Sequence, residues 1–323
     1  YNIYKMYYKN GVIEPYWEHI SLLGDNQFED VSDPTTSVLY NDKIYSFNAS
    51  GESGPYKYST IDLLGDNTIS YYVQPNTLQC GEGGINVPDD HKACVIGNTF
   101  MLPEDGYMYN PSTDSSYAVS NMINPILGTF ERKSFANIDD NYATSILTIN
   151  NGTQWLAFGV NSTEAICVAE LYDEVSGTWS EVWRTPTSRS DMYYSDRLNS
   201  VEIPSIHSVF IIGAVECYLY NYDTHTMTNT LPLSTVLLGG WSLAYNSKIA
   251  YDGNDTVYII TNQNNYNMFK YTISTNTLTN LQPLPKDGST NLVAFNYKNN
   301  LLYAYVETKV GIYNPVTNTW SSI

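Results

Sequence analysis

Residues Ile20–Asn26 read Ile-Ser-Leu-Leu-Gly-Asp-Asn, and residues Ile61–Asn67 read Ile-Asp-Leu-Leu-Gly-Asp-Asn. The two stretches are 41 residues apart, and the match continues upstream without a gap. Ile3-Tyr4 aligns with Ile44-Tyr45, Met6 with Phe47 and Trp17 with Tyr58. A shared Leu-Leu-Gly-Asp-Asn inside an aligned apolar pattern marks a structural repeat, and each repeat of this size is one supersecondary unit.

A looser motif carries the repeat to the C-terminus. It is an apolar residue, a Tyr, a short polar turn and an apolar residue seven positions after the Tyr. It reads Leu171-Tyr172-Asp-Glu-Val-Ser-Gly-Thr-Trp179 and Ile312-Tyr313-Asn-Pro-Val-Thr-Asn-Thr-Trp320, with further copies at Tyr220…Met227 and Tyr271…Leu278. A weaker copy is Met108-Tyr109-Asn-Pro-Ser-Thr-Asp114, followed by Tyr117. The anchors Trp17, Tyr58, Tyr109, Tyr172, Tyr220, Tyr271 and Tyr313 are spaced by 41, 51, 63, 48, 51 and 42 residues. Runs such as Val257-Tyr-Ile-Ile260 and Val209-Phe-Ile-Ile212 have strand character, and Asn-Gly, Asp-Gly and Asn-Pro pairs punctuate them. The three-and-four apolar spacing of a helical solenoid is missing.

The period predicts an all-β fold, a β-propeller of four-stranded antiparallel blades. Seven blades fit best, the first lacking its inner strand; six blades with an N-terminal extension is the alternative. The expected blades are 1–33, 34–78, 79–120, 140–185, 198–232, 238–285 and 290–323, one domain over residues 1–323, with an insertion at 121–139.

Tyr313-Asn-Pro-Val-Thr-Asn-Thr-Trp320 and Tyr172-Asp-Glu-Val-Ser-Gly-Thr-Trp179 resemble the Tyr-Asp-Pro…Trp end of a kelch repeat. The stretch from Trp179 through Pro186 to Arg189 is similar to the segment that leads a kelch chain into its next blade. The double glycine of kelch repeats is reduced to Phe158-Gly159 and Ile212-Gly213, so the resemblance is to a divergent member. It implies a rigid ring with recognition loops, and, by likeness to galactose oxidase, raises a copper site for testing. Such a site needs two His, two Tyr and a Cys. Cys217 with Tyr218 or Tyr220 is the nearest local match, and His19, His91, His207 and His225 are not spaced for joint ligation.

Composition narrows the function. The chain has 323 residues, 15 Lys+Arg, 33 Asp+Glu and a net charge of −18. Charged residues make up 15%, against about 25% in ordinary proteins. With 14% aromatics and 30 Tyr, the chain is not of the disordered class. So acidic a chain is a poor partner for nucleic acid or an anionic bilayer. The longest apolar run, Val209–Val215, is far short of the roughly 20 residues of a membrane helix, so no membrane insertion is expected. The Tyr excess is read as blade packing rather than chemistry, because aromatics suit half-buried strand faces.

Several candidate sites remain. Three of the four Arg (Arg184, Arg189 and Arg197) lie in one connection with Tyr193 and Tyr194, a grouping suited to a carboxylate ligand or a partner's acidic side chain. The competing reading is a solvated loop that neutralises the chain's own acids. Cys80 and Cys94 bracket a Gly- and Asp-rich loop and are expected to form a disulfide. Cys167 and Cys217, of equal strand parity in neighbouring blades, are expected as buried thiols. N-glycosylation sequons stand at Asn48, Asn151, Asn161 and Asn254, all near the ends of second strands. Asp89-Asp90, Glu104-Asp105 and Asp139-Asp140 are candidates for Ca²⁺, without an EF-hand pattern. No other metal or cofactor is expected. Asp173 to Trp179 resembles a sialidase Asp box only loosely.

These residues point to a non-catalytic binding or structural module, extracellular or at the cell surface. It recognises a protein or glycan through loops on one face, as part of a larger assembly. The alternative is an enzyme on the same ring, a copper oxidase or glycan hydrolase, since fold alone does not choose.

Overall fold

The computed structural model describes residues 3–9, 12–20, 34–41, 43–48, 57–62, 69–73, 94–110, 112–113, 115–124, 126–127, 129–139, 143–161, 163–185, 199–212, 217–230, 247–261, 266–285, 292–306 and 309–322. Among them are strands and one short 3-10 turn, Pro204–Ile206. The first sheet has two strands, β1 (Ile3–Lys9) and β2 (Val12–Ile20). Six four-stranded sheets follow, each an antiparallel meander in chain order. The second blade is β3 (Pro34–Tyr40), β4 (Lys43–Asn48), β5 (Lys57–Asp62) and β6 (Ile69–Val73). The third is β7 (Cys94–Ile96), β8 (Thr99–Asn110), β9 (Ser115–Asn124) and β10 (Thr129–Ser134). The fourth is β11 (Ala143–Ile149), β12 (Gln154–Asn161), β13 (Ile166–Asp173) and β14 (Thr178–Arg184). The fifth is β15 (Asn199–Ile203), β16 (Ser208–Ile212), β17 (Cys217–Asn221) and β18 (Thr226–Asn229). The sixth is β19 (Lys248–Tyr251), β20 (Thr256–Ile260), β21 (Met268–Thr272) and β22 (Thr277–Leu281). The seventh is β23 (Leu292–Lys298), β24 (Leu301–Val306), β25 (Lys309–Asn314) and β26 (Thr319–Ser322).

The first strands of successive sheets touch: β7 with β11, β11 with β15, β15 with β19 and β19 with β23. They ring a common axis, and the fold is a β-propeller. The expected fourth strand of the first blade, Gln27–Val31, lies outside the described residues.

Blades stack face to face, so both faces of a strand are covered and second strands read as continuous apolar runs. Every residue of β16 and of β20 is buried. The core is accordingly a series of slabs between neighbouring blades. One slab joins blades three and four through Met101, Ala118, Trp155, Val168, Tyr172 and Trp179. The next joins blades four and five through Phe158, Cys167, Val209 and Tyr220, and another joins blades five and six through Phe210, Cys217, Val257 and Tyr271. Tyr172, Tyr220, Tyr271 and Tyr313 thus face the preceding blade.

The register corrects two expectations. In blades four to seven the anchor is opposite the apolar residue seven positions on: Tyr172 with Trp179, Tyr220 with Met227, Tyr271 with Leu278, Tyr313 with Trp320. In blade three the same relation joins Ile123 to Phe130, and in blade two Ile61 pairs with Ile69. The Tyr109-Asn-Pro turn instead joins the second and third strands of its blade, with Tyr109 opposite Ser116. Residues 121–134 are therefore no insertion. They complete β9 and form β10, because Asn124-Pro-Ile-Leu-Gly-Thr-Phe130 is itself a copy of the third-to-fourth-strand turn. The extra length falls instead at residues 74–93, between blades two and three.

Candidate functional site

In an antiparallel meander the first-to-second and third-to-fourth turns lie at one end of each blade. The second-to-third turns and the connections between blades lie at the other end. These two ends are the two faces of the ring, and their chemistry differs.

On the first face the third-to-fourth turn recurs in blades three, four, five and seven; in blade six Thr272 follows the anchor, and Asp255 accepts from Ser274 N instead. The residue after the anchor accepts two backbone N–H bonds with its side-chain oxygen: Asn124 from Ile126 and Leu127, Asp173 from Val175 and Ser176, Asn221 from Asp223 and Thr224, Asn314 from Val316 and Thr317. Such Asx turns suit Asn and Asp because the side chain mimics a backbone acceptor. The residue five after the anchor is left-handed: Gly177, His225, Asn276 and Asn318, with φ of 68°, 51°, 49° and 54°. In blades five to seven the anchor hydroxyl reaches that residue, whereas in blade four Tyr172 donates to Met122 Sδ. Tyr271 donates to Asn276 Oδ1 at 2.8 Å, Tyr313 donates to Asn318 Oδ1 at 2.6 Å, and Tyr220 Oη lies 2.9 Å from His225 Nδ1. Burial pushes the Tyr271 phenol up to about 12, so it stays a donor at any ordinary pH.

Blade five adds a second contact on this face. His207 Nδ1 lies 2.6 Å from Asp223 Oδ2, and its ring stacks on Tyr222, whose hydroxyl donates to Glu202. Among the described residues no three His, Cys, Asp or Glu side chains converge as metal ligands. The local copper match is taken apart by parity: Cys217 faces blade six, while Tyr218 and Tyr220 face blade four.

The second face varies. The strand ends that meet it are separated in sequence by as few as two residues, at Val306 and Lys309, and by as many as twenty, at Val73 and Cys94. In blade three, β8 and β9 continue together past the sheet, pairing Tyr107 with Ala118 and Asn110 with Ser115. The register shift between Pro103 and Tyr107 sets three residues (Glu104, Asp105 and Gly106) opposite Val119 alone. Pro103 fits there because a bulge tolerates a missing N–H. Arg184 also reaches this face, at the end of β14. Its guanidinium is held by Glu181 at 2.5 and 2.6 Å and by Glu164 at 2.7 Å, so this Arg neutralises its own blade's acids. Arg189, Tyr193, Tyr194 and Arg197 lie outside the described residues.

Cys94 carries a free thiol, not the expected bridge; Cys80 lies outside the described residues. The Cys94 side chain is buried in the slab between blades three and four and donates to Met101 O, and burial raises its pKa far above the usual thiol range. Cys167 and Cys217 are buried thiols in separate slabs, as strand parity requires. Of the sequons, Asn151 and Asn254 are exposed in first-to-second turns. Asn161, half-buried at the end of β12, donates to Asn137 O, and Asn48 ends β4. Of the acidic pairs, Asp139 accepts from Thr163 N, while Asp89, Asp90 and Asp140 lie outside the described residues.

Sequence reasoning missed Glu170. It is fully buried in β13, and its carboxylate accepts from the backbone N–H of Ala136, Asn137 and Ile138 at 2.7, 2.5 and 2.8 Å. It clamps the connection from blade three onto blade four. A polar residue at the centre of Val168-Ala-Glu-Leu171 was the available signal.

No family model and no curated protein sequence matches the chain. Solved structures do. A protein from Lactobacillus plantarum superposes with a TM-score of 0.60 at 11% identity, over 95% of this chain and 87% of the other. The extracellular domain of BT4673 from B. thetaiotaomicron gives 0.54 at 13% identity, over 86% of this chain and 32% of that one. An oligogalacturonate lyase in complex with manganese gives 0.52 at 11% identity, over 87% and 73%. At such identity the likeness is one of fold, and the fold is shared by an enzyme and an extracellular domain. No helix among the described residues is long and apolar enough to cross a membrane.

Proposed function

We propose that the chain is a divergent kelch-like binding propeller, working outside the cell or at its surface. It recognises a protein or a carboxylate-bearing glycan through the face that carries the long connections. One observation carries this reading: the asymmetry of the two faces. Repeated short turns consume their own polar groups on one face, whereas the other departs from the repeat blade by blade. Recognition is found on variable loops held by a rigid scaffold. β14 ends and β15 begins at that variable face, and the sequence between them includes Arg189 and Arg197, cations in an otherwise acidic chain.

The test is isothermal titration of the full chain with oligogalacturonate and, separately, with a Glu-rich peptide. The reading expects saturable binding of one of them without product, weakened at least tenfold in Arg189→Ala/Arg197→Ala. Shortened or unsaturated sugar product would establish the enzymatic reading instead, and binding unaffected by the double substitution would remove the Arg connection from the site. Glycans at Asn151 and Asn254 belong to the same proposal and would appear as mass lost on glycosidase treatment.

A further inference from the structure

The connection that leaves blade three is tied at every step. From Phe135 to Asp139 five consecutive backbone N–H groups are bonded: Phe135 to Ala118 O at 3.1 Å, Ala136, Asn137 and Ile138 to the Glu170 carboxylate, and Asp139 to Val160 O at 2.9 Å. The side chains of Phe135 and Ile138 are buried as well. Glu170 holds this segment from within the slab. On the variable face a different residue, Asn161, joins it to the turn between β12 and β13.

Both ends of the Asn161 amide are engaged. Nδ2 donates to Asn137 O at 3.2 Å, on the connection, and Oδ1 accepts from Glu164 N at 2.9 Å, in the turn. The connection bonds back: Asp139 Oδ2 accepts from Thr163 N at 3.1 Å. The same two segments are therefore joined by bonds of opposite direction. The turn held in this way includes Ala165 at φ 54°, a left-handed conformation that alanine avoids.

Asn161-Ser162-Thr163 is also a sequon. An N-glycan replaces one of the two hydrogens on Nδ2 with a sugar carbon. At the exposed Asn151 and Asn254 that nitrogen lies at the surface, whereas at the half-buried Asn161 it is turned onto Asn137 O. We propose that Asn161 is a positioning residue. Its side chain latches the connection from blade three onto the turn of blade four, and the sequon it belongs to carries no glycan. The inference goes beyond the loop-face reading and does not depend on which ligand that face takes.

The test is hydrogen exchange on the full chain, read as protection at Asn137, Ile138, Asp139, Thr163 and Glu164. Thr163 is exposed and enters the latch through its backbone N–H, so Thr163→Ala destroys the sequon and keeps the latch. Asn161→Asp keeps the acceptor for Glu164 N and loses the donor to Asn137 O. The expected result is a loss of protection of at least fivefold at Asn137, Ile138, Asp139 and Thr163 in both Asn161→Ala and Asn161→Asp. Glu164 should lose protection in Asn161→Ala alone, and Thr163→Ala should stay within twofold of the parent throughout. Strands β19–β22 should be unchanged in every variant, which separates local loosening from unfolding. Unchanged protection in Asn161→Ala overturns the proposal, as does an equal loss in Thr163→Ala or a loss that spreads to β19–β22. A sugar found on Asn161 by peptide mass mapping of folded chain from a glycosylating secretory host overturns it too. Failure of the ligand titrations leaves it standing, since none of these variants touches Arg189 or Arg197.

Discussion

Tyr313 shows what the abundant tyrosines do. Its ring is fully buried between blades six and seven, and its hydroxyl donates to Asn318 Oδ1 at 2.6 Å. Asn318 holds a left-handed φ of 54°. The bond secures a turn residue in a conformation that most side chains avoid. Tyr313→Phe should lower stability by about 1 kcal/mol, the typical net worth of one hydrogen bond. Asn318→Ala removes the same bond and the one its Oδ1 accepts from Gln282 N, and adds a left-handed alanine, so it should cost about 3 kcal/mol. A double-mutant cycle by chemical denaturation checks the pair: the effects should be less than additive, and strict additivity would mean the bond contributes nothing. Blade four solves the same problem differently. Gly177 is left-handed at φ 68°, and a Cβ there would meet Lys133 Nζ at 3.2 Å. Gly177→Ala should therefore cost about 1–2 kcal/mol, seen as a lower denaturation midpoint with an unchanged slope.

At the scale of the element, the sequence was legible in its period and misleading in its phase. The Leu-Leu-Gly-Asp-Asn pair located the first two blades, and the matched Ile3-Tyr4 and Ile44-Tyr45 fall in β1 and β4, near the start of each strand. The Tyr-Asn-Pro at 109–111 misled because turn chemistry is local. It announces a hairpin and carries no mark of which two strands the hairpin joins. Ile123 escaped notice because it lacks the Tyr, although Asn124-Pro-Ile-Leu-Gly-Thr-Phe130 aligns with Asn314-Pro-Val-Thr-Asn-Thr-Trp320. The tightness of this turn comes from Asn124 Oδ1, which accepts from two backbone N–H groups at 3.1 and 3.0 Å. Asn124→Ala should loosen the β9–β10 hairpin by about 1 kcal/mol. Hydrogen exchange should quicken at Ile126 and Leu127 while β11–β14 keep their protection. Uniform acceleration across all blades would show that the turn is not a local element.

At the scale of the ring, the candidate site was less legible than the fold. The sequence between blades follows no period, and a clamp such as Glu170 is visible only once blades three and four meet. That clamp links neighbouring blades and makes one pH-dependent prediction. Burial raises the Glu170 pKa above its ordinary value of 4.5, against the lowering effect of the three backbone N–H donors. The folded protein thus holds this proton more tightly than the unfolded chain does. Its contribution to stability therefore falls as pH rises from 4.5 through the raised native value, and is flat above it. Glu170→Ala strands three buried N–H groups and should cost about 3 kcal/mol or more. Glu170→Gln keeps one acceptor oxygen and removes the titration. The melting temperature of the parent, measured against that of Glu170→Gln, should gain as the pH is lowered from neutral toward 5, whatever the many exposed acids do in both. A difference that is constant across that range, or that shrinks on acidification, would mean that the three N–H donors outweigh burial and that Glu170 enters the folded ring as an easily formed carboxylate.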